Sequence, residues 1–442
     1  MARHKAHDKT PLFAFFIGTI LVGSVFLTLP VAWEGPGRLD YLSALFTATS
    51  AVCVTGLIVV NTSQFSFFGQ TVIALLIQIG GLGIITFATL YLTGAGGKVS
   101  LSKRELITDY YIDSVSYRPG RIVKHILILT FAMEAAGAAV LYLAFRSHGV
   151  DNPGWGAVFH AVSAFCNAGF SLFDDSLEAF AGSAAVLLPI MILVVVGGIG
   201  FVVIDDLLAL RQGRRRVVSL HTKITLTATV VMLVLSAAGF YIFEREALFA
   251  GAGGGSLGAL FQSVTPRTAG FNTVPQSELS SPALVWTMLL MFIGGAPGSI
   301  AGGLKITTFA VIVLFVAKRA DETGEIRVFS RRLSGRILGR ASGMLMKCLG
   351  LIFTAVLALT VTENFIGGRD FLVVDVIFET ISAFATVGLS RGITADLTSG
   401  GRVVTILTMF AGRVGLITMA APQFRPPSRR LYDFPEGDIL LG

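Results

Sequence analysis

Four short segments of the sequence resemble one another, and their residue types suit the coordination of a bare cation by backbone carbonyls. Each opens with Phe, carries a Ser or Thr near its middle and closes on a Gly followed by an apolar residue. Glycine allows backbone angles that a side chain would forbid, so the chain there can turn its carbonyls toward a common axis. The segments are Phe46–Leu57, Phe159–Phe170, Phe261–Phe271 and Phe378–Leu389.

The closing glycines of these segments recur at intervals of 113, 101 and 118 residues. A second glycine cluster begins 24, 28, 24 and 24 residues after each closing glycine. A fourfold internal repeat in an apolar chain predicts four equivalent units around one axis, and an axis lined by four equivalent pieces indicates a pore. The closing glycines are Gly56, Gly169, Gly270 and Gly388, and the clusters begin at Gly80, Gly197, Gly294 and Gly412.

Composition places the elements that carry these segments in a membrane. The chain is 53% hydrophobic and 14% charged, with a mean hydropathy of +0.76. A bilayer core about 30 Å thick is spanned by roughly 20 apolar residues in a helix, and eight such runs are present. The sequence predicts spans over residues 11–30, 71–93, 123–145, 184–210, 223–243, 283–316, 344–365 and 403–421.

Between the two spans of each pair lies a shorter apolar stretch that contains the glycine segment. It is too short to cross a bilayer, which predicts a half-helix that enters from outside, followed by extended backbone lining a cavity. The predicted fold is all-α, with eight transmembrane helices in four repeats around a pseudo-fourfold pore. The repeats cover residues 11–95, 122–212, 222–318, with a broken second span, and 343–422, followed by a cytoplasmic tail at 423–442.

The net charge of +7 orients the chain and does not predict a nucleic-acid partner. With the N-terminus in the cytoplasm, the inside segments hold 25 of the 34 Lys and Arg residues, as the positive-inside rule requires. Both termini are therefore expected in the cytoplasm of a cell whose inner membrane the chain crosses repeatedly. The basic stretch 318–347 could also meet anionic lipid or an acidic partner. The three cysteines show no zinc-like spacing and are interpreted as small apolar residues.

These segments resemble the filter segments of the Trk/Ktr/HKT superfamily of potassium transporters, within which the chain is more similar to the KtrB type than to the TrkH type. The resemblance covers nearly the whole sequence and implies four units of span, half-helix and span, with one filter glycine each. It implies potassium binding by the carbonyls of Cys53, Val54, Thr55 and Gly56, of Cys166, Asn167, Ala168 and Gly169, of Arg267, Thr268, Ala269 and Gly270, and of Ala385, Thr386, Val387 and Gly388.

The resemblance also implies partners and coupling ions. It implies sodium dependence, a homodimer in membrane lipid, and a cytosolic ring of nucleotide-binding subunits of the KtrA type. The chain itself has no phosphate-cradling motif, because Gly80-Gly81-Leu82-Gly83 lies inside a predicted span and not between a strand and a helix. No cofactor is expected in this chain, and ATP or ADP would act only through the regulatory partner.

Two features match the gate of that family. The stretch from Gly294 to Lys305 is rich in glycine and contains Pro297, which makes a continuous helix costly by about 1 kcal/mol per interior glycine and about 3 for proline. The resemblance implies a loop that obstructs the pore there, and close helix packing through small residues is the alternative. The predicted gate residues are Gly298, Gly302, Gly303, Lys305 and Arg413.

Arg413 replaces the glycine found at the same cluster position in the other units. A charge at this depth is expensive and normally faces a cavity or a partner. The resemblance implies that Arg413 projects into the pore, where its charge raises the barrier to a cation. A salt bridge to Glu134, Asp205 or Asp206 is the alternative. Arg267 is expected to brace its loop, and His160 and Glu379 to be hydrogen-bonded scaffold.

The resemblance therefore implies potassium uptake, and no enzymatic activity is expected. A TrkH-like system or a sodium- or ammonium-preferring transporter remains open, because rings of carbonyls differ in geometry and not in residue type. An integral-membrane enzyme would need a catalytic constellation. The sequence has no HExxH, no GxSxG and no paired intramembrane carboxylates.

Overall fold

The computed structural model describes residues 10–93, 119–213, 216–245, 255–318 and 324–415. The predicted cytoplasmic tail at 423–442 and the last residues of the span predicted at 403–421 lie outside these ranges. The described chain is almost entirely helical. Its α-helices are α1 (Thr10–Leu27), α2 (Tyr41–Cys53), α3 (Phe67–Thr93), α4 (Pro119–Ser147), α5 (Pro153–Phe165), α6 (Ala184–Ile199), α7 (Phe201–Arg211), α8 (Leu220–Phe243), α9 (Gly255–Val264), α10 (Ser281–Phe292), α11 (Ile306–Ala317), α12 (Gly335–Thr360), α13 (Val373–Ala385) and α14 (Ser399–Phe410).

Membrane-spanning length and composition are met by fewer helices than the eight predicted spans. In the described ranges, three stretches qualify, Val123–Ser147, Leu220–Phe243 and Gly335–Ile366, and a fourth does if α6 and α7 count as one bent span. The last of the three continues α12 through a π-helical turn at Val361–Ile366. Several apolar helices fall short, because α1 is 18 residues long and α10 and α11 have 12 each.

The predicted single run over residues 184–210 is bent by 95° where α6 ends and α7 begins. Gly200 lies at this bend with a φ of +94°, a conformation that side chains rarely adopt. A Cβ atom there would also lie 2.9 Å from the carbonyl oxygen of Pro297, which belongs to a distant part of the chain. The bend therefore makes room for the loop that contains Pro297. The sequence around Gly200 gives no sign of this contact.

The short helices that contain the first part of each glycine segment pack against longer helices. α2 contacts α1 and α3, α5 contacts α4 and α6, α9 contacts α8, and α13 contacts α12 and α14. The Phe that opens each glycine segment anchors this packing, since all four of these rings are buried. Helix α2 starts at a capping interaction in which the backbone N–H of Ser43 donates to Asp40 Oδ2 at 3.0 Å.

The basic stretch after α11 contains a small antiparallel hairpin, β1 (Ile326–Val328) with β2 (Arg331–Leu333). Its apolar residues face Ile224 of α8, while its arginines point outward. The alternation of buried and exposed residues along β1 is the usual pattern of a strand with one covered face. The hairpin thus holds this basic segment against the helices.

Candidate functional site

Each of the four short helices ends inside a glycine segment. α2 ends at Cys53, α5 at Phe165, α9 at Val264 and α13 at Ala385, three to six residues before the closing glycine. The C-terminus of an α-helix carries a partial negative charge from its unpaired carbonyls. All four of these helix ends therefore present negative potential to the region where the glycine segments lie.

The backbone of the four segments repeats the same unusual conformation. Each closing glycine has a positive φ, from +72° at Gly169 to +95° at Gly388. The residue two positions earlier is also left-handed, although it carries a side chain. These residues are Val54, Asn167, Thr268 and Thr386, with φ between +52° and +69°. Left-handed backbone at non-glycine residues is uncommon, and such strain clusters at functional sites.

The closing glycines lie next to one another and close a ring. A Cβ atom added to each would lie under 3.0 Å from the carbonyl oxygen of the next segment, closer than real Cβ atoms approach. We call these glycines, with the carbonyls that precede them, the glycine ring. The pairs are Gly56 with Ala168, Gly169 with Ala269, Gly270 with Val387 and Gly388 with Thr55, so the last segment returns to the first.

The Ser or Thr near the middle of each segment holds the ring backbone in place. The backbone N–H of Gly56 donates to Ser50 Oγ at 3.0 Å, and that of Gly388 donates to Ser382 Oγ at 3.1 Å. In the other two segments the hydroxyl donates instead, Ser163 Oγ to the carbonyl of Phe170 at 2.8 Å and Thr265 Oγ1 to that of Phe271. The repeat was visible in the sequence, but this bracing role was not predicted.

The predicted filter residues are buried, except for Gly388, which is half-buried. Asn167 donates through Nδ2 to Thr268 Oγ1 at 3.5 Å, so its amide links two neighbouring segments. The hydroxyls of Thr55 and Thr386 have no hydrogen-bond partner in the described structure. The structure thus brings the four predicted filter segments together at their closing glycines, each of which lies against the next segment.

In three of the four units, the first glycine of the second cluster lets a longer helix approach the backbone of a glycine segment closely. A Cβ atom at Gly80, Gly197 or Gly412 would overlap the carbonyl oxygen of Val52, Phe165 or Phe384, each of them four residues before a closing glycine. Close approach of backbone to backbone is possible only without a side chain. Gly294 differs, because its Cβ would overlap the carbonyl oxygen of Gly302 in its own loop.

Residues 293–305 between α10 and α11 form a loop, which we call the inner loop. Its ends pair with each other, since the N–H of Gly294 donates to the carbonyl of Leu304 at 2.9 Å and that of Leu304 donates to Phe292 at 3.2 Å. Its middle pairs with the α6–α7 bend. There the N–H of Ile300 donates to the carbonyl of Gly197 at 3.3 Å, and the N–H of Phe201 donates to that of Gly298 at 3.1 Å.

Arg413 lies in a π-helical turn, Ala411–Gly415, that follows α14. It is 4% exposed, and its guanidinium donates to the carbonyl of Ile300 in the inner loop and, at 3.2 Å, to that of Gly80 in α3. Arg413 forms no ion pair with a carboxylate in the described residues, so the predicted alternative of a salt bridge is wrong. Backbone carbonyls provide the acceptors instead, so no described carboxylate compensates the positive charge of Arg413.

The remaining predicted gate residues also lie in the inner loop. Lys305 Nζ donates to the carbonyl of Ala301 at 2.6 Å, which ties the end of the loop to its middle. Gly302 packs against Thr386 of the fourth glycine segment, so the loop touches the ring directly. Gly298 and Gly303 both have positive φ. Ile300 Cγ2 comes within 3.3 Å of the position a Cβ on Gly81 would occupy.

Other polar residues singled out in the sequence are mostly scaffold. His160 is buried between the carbonyl of Gly156 at 2.7 Å and Ser171 Oγ at 3.0 Å. Glu379 accepts hydrogen bonds from Ser390, Thr394 and the backbone of Arg391. Glu134 accepts from Gln78 Nε2 at 3.2 Å, beside the thiol of Cys166. Arg267, expected to brace its loop, makes no side-chain hydrogen bond in the described structure. No group of three metal-ligating side chains occurs in the described ranges.

The comparisons with known proteins identify the class. Residues 5–429 match the family model of TrkH, described as a cation transport protein. The chain belongs to this family, within the Trk/Ktr superfamily of ion transporters, and is a multi-pass membrane protein and not an enzyme.

Particular relatives lie within the same family. The chain is 38% identical to the Ktr system potassium uptake protein B of Bacillus subtilis, over 97% of this chain and 95% of that protein. It is 36% identical to the potassium/sodium uptake protein NtpJ of Enterococcus hirae, with the same coverage. The crystal structure of the potassium transporter TrkH from Vibrio parahaemolyticus has the same fold, with a TM-score of 0.71 at 20% identity over 94% of this chain and 85% of that one.

Proposed function

We propose that this chain takes up potassium through the glycine ring. The observation that carries the proposal is the closed ring itself, in which four positive-φ glycines each lie against a carbonyl of the next segment. Rings of carbonyls replace the hydration shell of an ion, and four helix C-termini add negative potential at the same place. The names of the Bacillus and Enterococcus relatives, both uptake proteins for potassium, support the choice of ion.

The proposed filter uses backbone oxygens of the four glycine segments. Among the sixteen predicted filter residues the side chains are apolar, hydroxyl, thiol or amide groups, and the only formal charge, on Arg267, is positive, so no side-chain carboxylate belongs to the proposed filter. Eight spans in four repeats would surround this filter. One of these spans would be interrupted by the α6–α7 bend, and another by the inner loop between α10 and α11. Uptake would be driven at least partly by the membrane potential, worth about 2.3 kcal/mol per charge per 100 mV.

The proposed gate lies where Arg413 meets the inner loop. The guanidinium joins Ile300 of the loop to Gly80 of α3, so one side chain closes the gap between two elements. A buried positive charge next to the path also repels a passing cation, by an amount that depends on the local dielectric. Opening requires the loop to leave Arg413, which would break these hydrogen bonds and widen the path.

Sodium dependence is proposed from the name of NtpJ, a potassium/sodium uptake protein. We further propose that the chain works as a homodimer in the inner membrane, with both termini in the cytoplasm. The word system in the name of the Bacillus relative supports additional subunits. A cytosolic KtrA-type ring that binds ATP or ADP would supply the nucleotide control, and the basic hairpin is on the side predicted to be cytoplasmic.

The test replaces one ring glycine. Gly388→Ser places a side chain at a φ of +95° and against the carbonyl of Thr55, so the ring must deform. We expect the preference for potassium over sodium to fall about tenfold, for which a change of about 1.4 kcal/mol suffices. Uptake of each ion by the purified chain in vesicles at a set voltage measures this.

Gly392→Ser is the matched control. Gly392 has a φ of +100°, but a Cβ there would meet nothing within 4 Å, so it imposes the same backbone strain without touching the ring. Its ion preference should equal that of the unmodified chain. Unchanged preference in Gly388→Ser, and in Ser variants of Gly56, Gly169 and Gly270, would defeat the filter assignment.

A further inference from the structure

Arg267 is a buried cation with no partner in the described structure. Its side chain is 8% exposed, it pairs with no described carboxylate, and its Nε has no hydrogen-bond acceptor. A guanidinium remains charged even in unfavourable surroundings and offers five N–H donors. A buried charge of this kind costs several kcal/mol unless it is paired and hydrogen-bonded. Something outside the described chain must therefore satisfy it.

Arg267 lines a small cavity between the third glycine segment, α6, α8 and the inner loop. Most of the wall is apolar or glycine, and a second polar residue, Thr229 of α8, also lines the cavity. Thr229 is 5% exposed, and its hydroxyl donates to no acceptor in the described structure. The remaining lining residues are Val194, Val195, Gly198, Ile199, Val264 and Gly295. Two sets of unused donors, one of them charged, thus face one enclosed space.

We propose that this cavity binds one small monovalent anion, such as chloride, between Arg267 and Thr229. A water molecule could accept these hydrogen bonds, but it would leave the charge uncompensated. A phosphate or carboxylate compound has several oxygens to satisfy, and the remaining Val, Ile and Gly residues of the wall offer them no polar side chain. The anion forms no covalent bond, and it acts as the counter-ion that the described residues do not provide.

The position of the site gives the anion a consequence for cation binding. The backbone of Arg267 is part of the third glycine segment, so an uncompensated guanidinium there opposes a cation in the glycine ring. A bound anion cancels that repulsion. Potassium and the anion should therefore each raise the affinity of the protein for the other, because coupling between two binding sites is reciprocal.

Bromide tests the site without any transport measurement. Crystals of the full chain grown in potassium bromide should show an anomalous scattering peak in the cavity, within hydrogen-bond distance of the Arg267 guanidinium. Because this readout needs no ion flux, its failure is distinguishable from failure of the proposed uptake function. A cavity without a bromide peak would overturn the proposal.

Potassium uptake tests the coupling. Vesicles carry the same anion on both sides, chloride or the much larger gluconate, at a fixed membrane potential. We expect the potassium concentration for half-maximal uptake to be about threefold to tenfold lower in chloride, since one charge near the path is neutralised. Equal values in the two anions would overturn the proposal.

Two threonines of α8 separate the site from general effects of mutation. Thr229→Val removes the second anion ligand and should raise the chloride concentration for half-maximal effect about tenfold, as expected for a hydrogen bond to a charged group. Thr225→Val, one turn earlier, removes a buried hydroxyl without a partner that does not line the cavity. It should keep the chloride dependence within about twofold of the unmodified chain, as loss of that hydroxyl removes no anion contact.

Arg267→Gln should abolish both the bromide peak and the difference between chloride and gluconate. If this variant does not fold, the pair of threonine variants carries the test. An identical chloride dependence in Thr229→Val and Thr225→Val would overturn the proposal, and so would a chloride dependence that survives in folded Arg267→Gln.

Discussion

Arg413 and Arg267 are both buried beside the glycine ring, yet their surroundings differ. Arg413 donates to carbonyls of two separate elements, the inner loop and α3. Arg267 has no hydrogen-bond acceptor in the described chain and faces a cavity. Neither has an ion-pair partner among the described residues. One arginine is thus held by the protein backbone, whereas the other is left for a ligand to complete.

This difference separates two roles for a positive charge in a cation transporter. A guanidinium that joins two elements resists their separation, so its loss should change how often the path is open. A guanidinium that lines a closed cavity changes the potential at the ring and joins no elements, so its loss should change affinity. The predictions below test whether mutation of Arg413 changes mainly the potassium flux and mutation of Arg267 mainly the affinity.

The largest effect is expected for Arg413→Ala. It removes the bonds to Ile300 and Gly80 together with the repelling charge, so potassium flux into vesicles should rise about tenfold or more, as lowering a barrier by about 1.4 kcal/mol gives a factor of ten. Flux in proteoliposomes at a set voltage measures this. Flux equal to or below that of the unmodified chain would remove Arg413 from the gate.

Deletion of Ala301–Gly303 should also raise flux, but less. The deletion shortens the inner loop and removes the acceptor of Lys305, while Arg413 and its charge remain. We expect an increase of about threefold, which corresponds to less than 1 kcal/mol of barrier. The same vesicle assay checks it, and the double change with Arg413→Ala should add little because both act on one contact. Reduced flux would argue that the loop supports the ring and does not obstruct the path.

The smallest change in flux is expected for Arg267→Lys. Lysine keeps the charge as a compact ammonium, so maximal flux should stay within about twofold, while the chloride affinity falls because the planar fork of donors is lost. Saturating uptake and a chloride titration distinguish the two quantities. If Arg267→Lys raised maximal flux as strongly as Arg413→Ala, the two arginines would share one role and the comparison would fail.

The ring could be predicted from the sequence because its geometry demands a residue type. The positive φ and the close approach of a neighbouring carbonyl at Gly56 or Gly388 exclude any side chain. Each segment therefore needs a glycine at the same position, and this glycine is visible in the sequence. The Phe residues that open the segments could likewise be recognised in the sequence, because each position is buried and requires an apolar side chain. Where structure restricts residue type locally, the sequence carries the signal.

Features that depend on distant backbone could not be predicted. Gly197-Gly198-Ile199-Gly200 reads like Gly80-Gly81-Leu82-Gly83, yet only the former bends, because the carbonyl of Pro297 approaches Gly200. The acceptors of Arg413 are carbonyls, which every residue has, so no residue type marked Ile300 or Gly80 as its partners. The hydropathy of residues 283–316 did not show that α10 and α11 have only 12 residues each, whereas the glycines and Pro297 between Gly294 and Lys305 did predict a break there.

The inner loop begins and ends at one place, because Gly294 and Leu304 are hydrogen-bonded to each other and Ile306 donates to Gly295 at 3.0 Å. Its middle can swing aside while α10 and α11 remain joined at that neck. Gly294 also rests on its own loop and not on α9, so such a displacement is not transmitted to the third glycine segment through this contact. Opening and ion discrimination would then be separable traits, each free to change in evolution without the other.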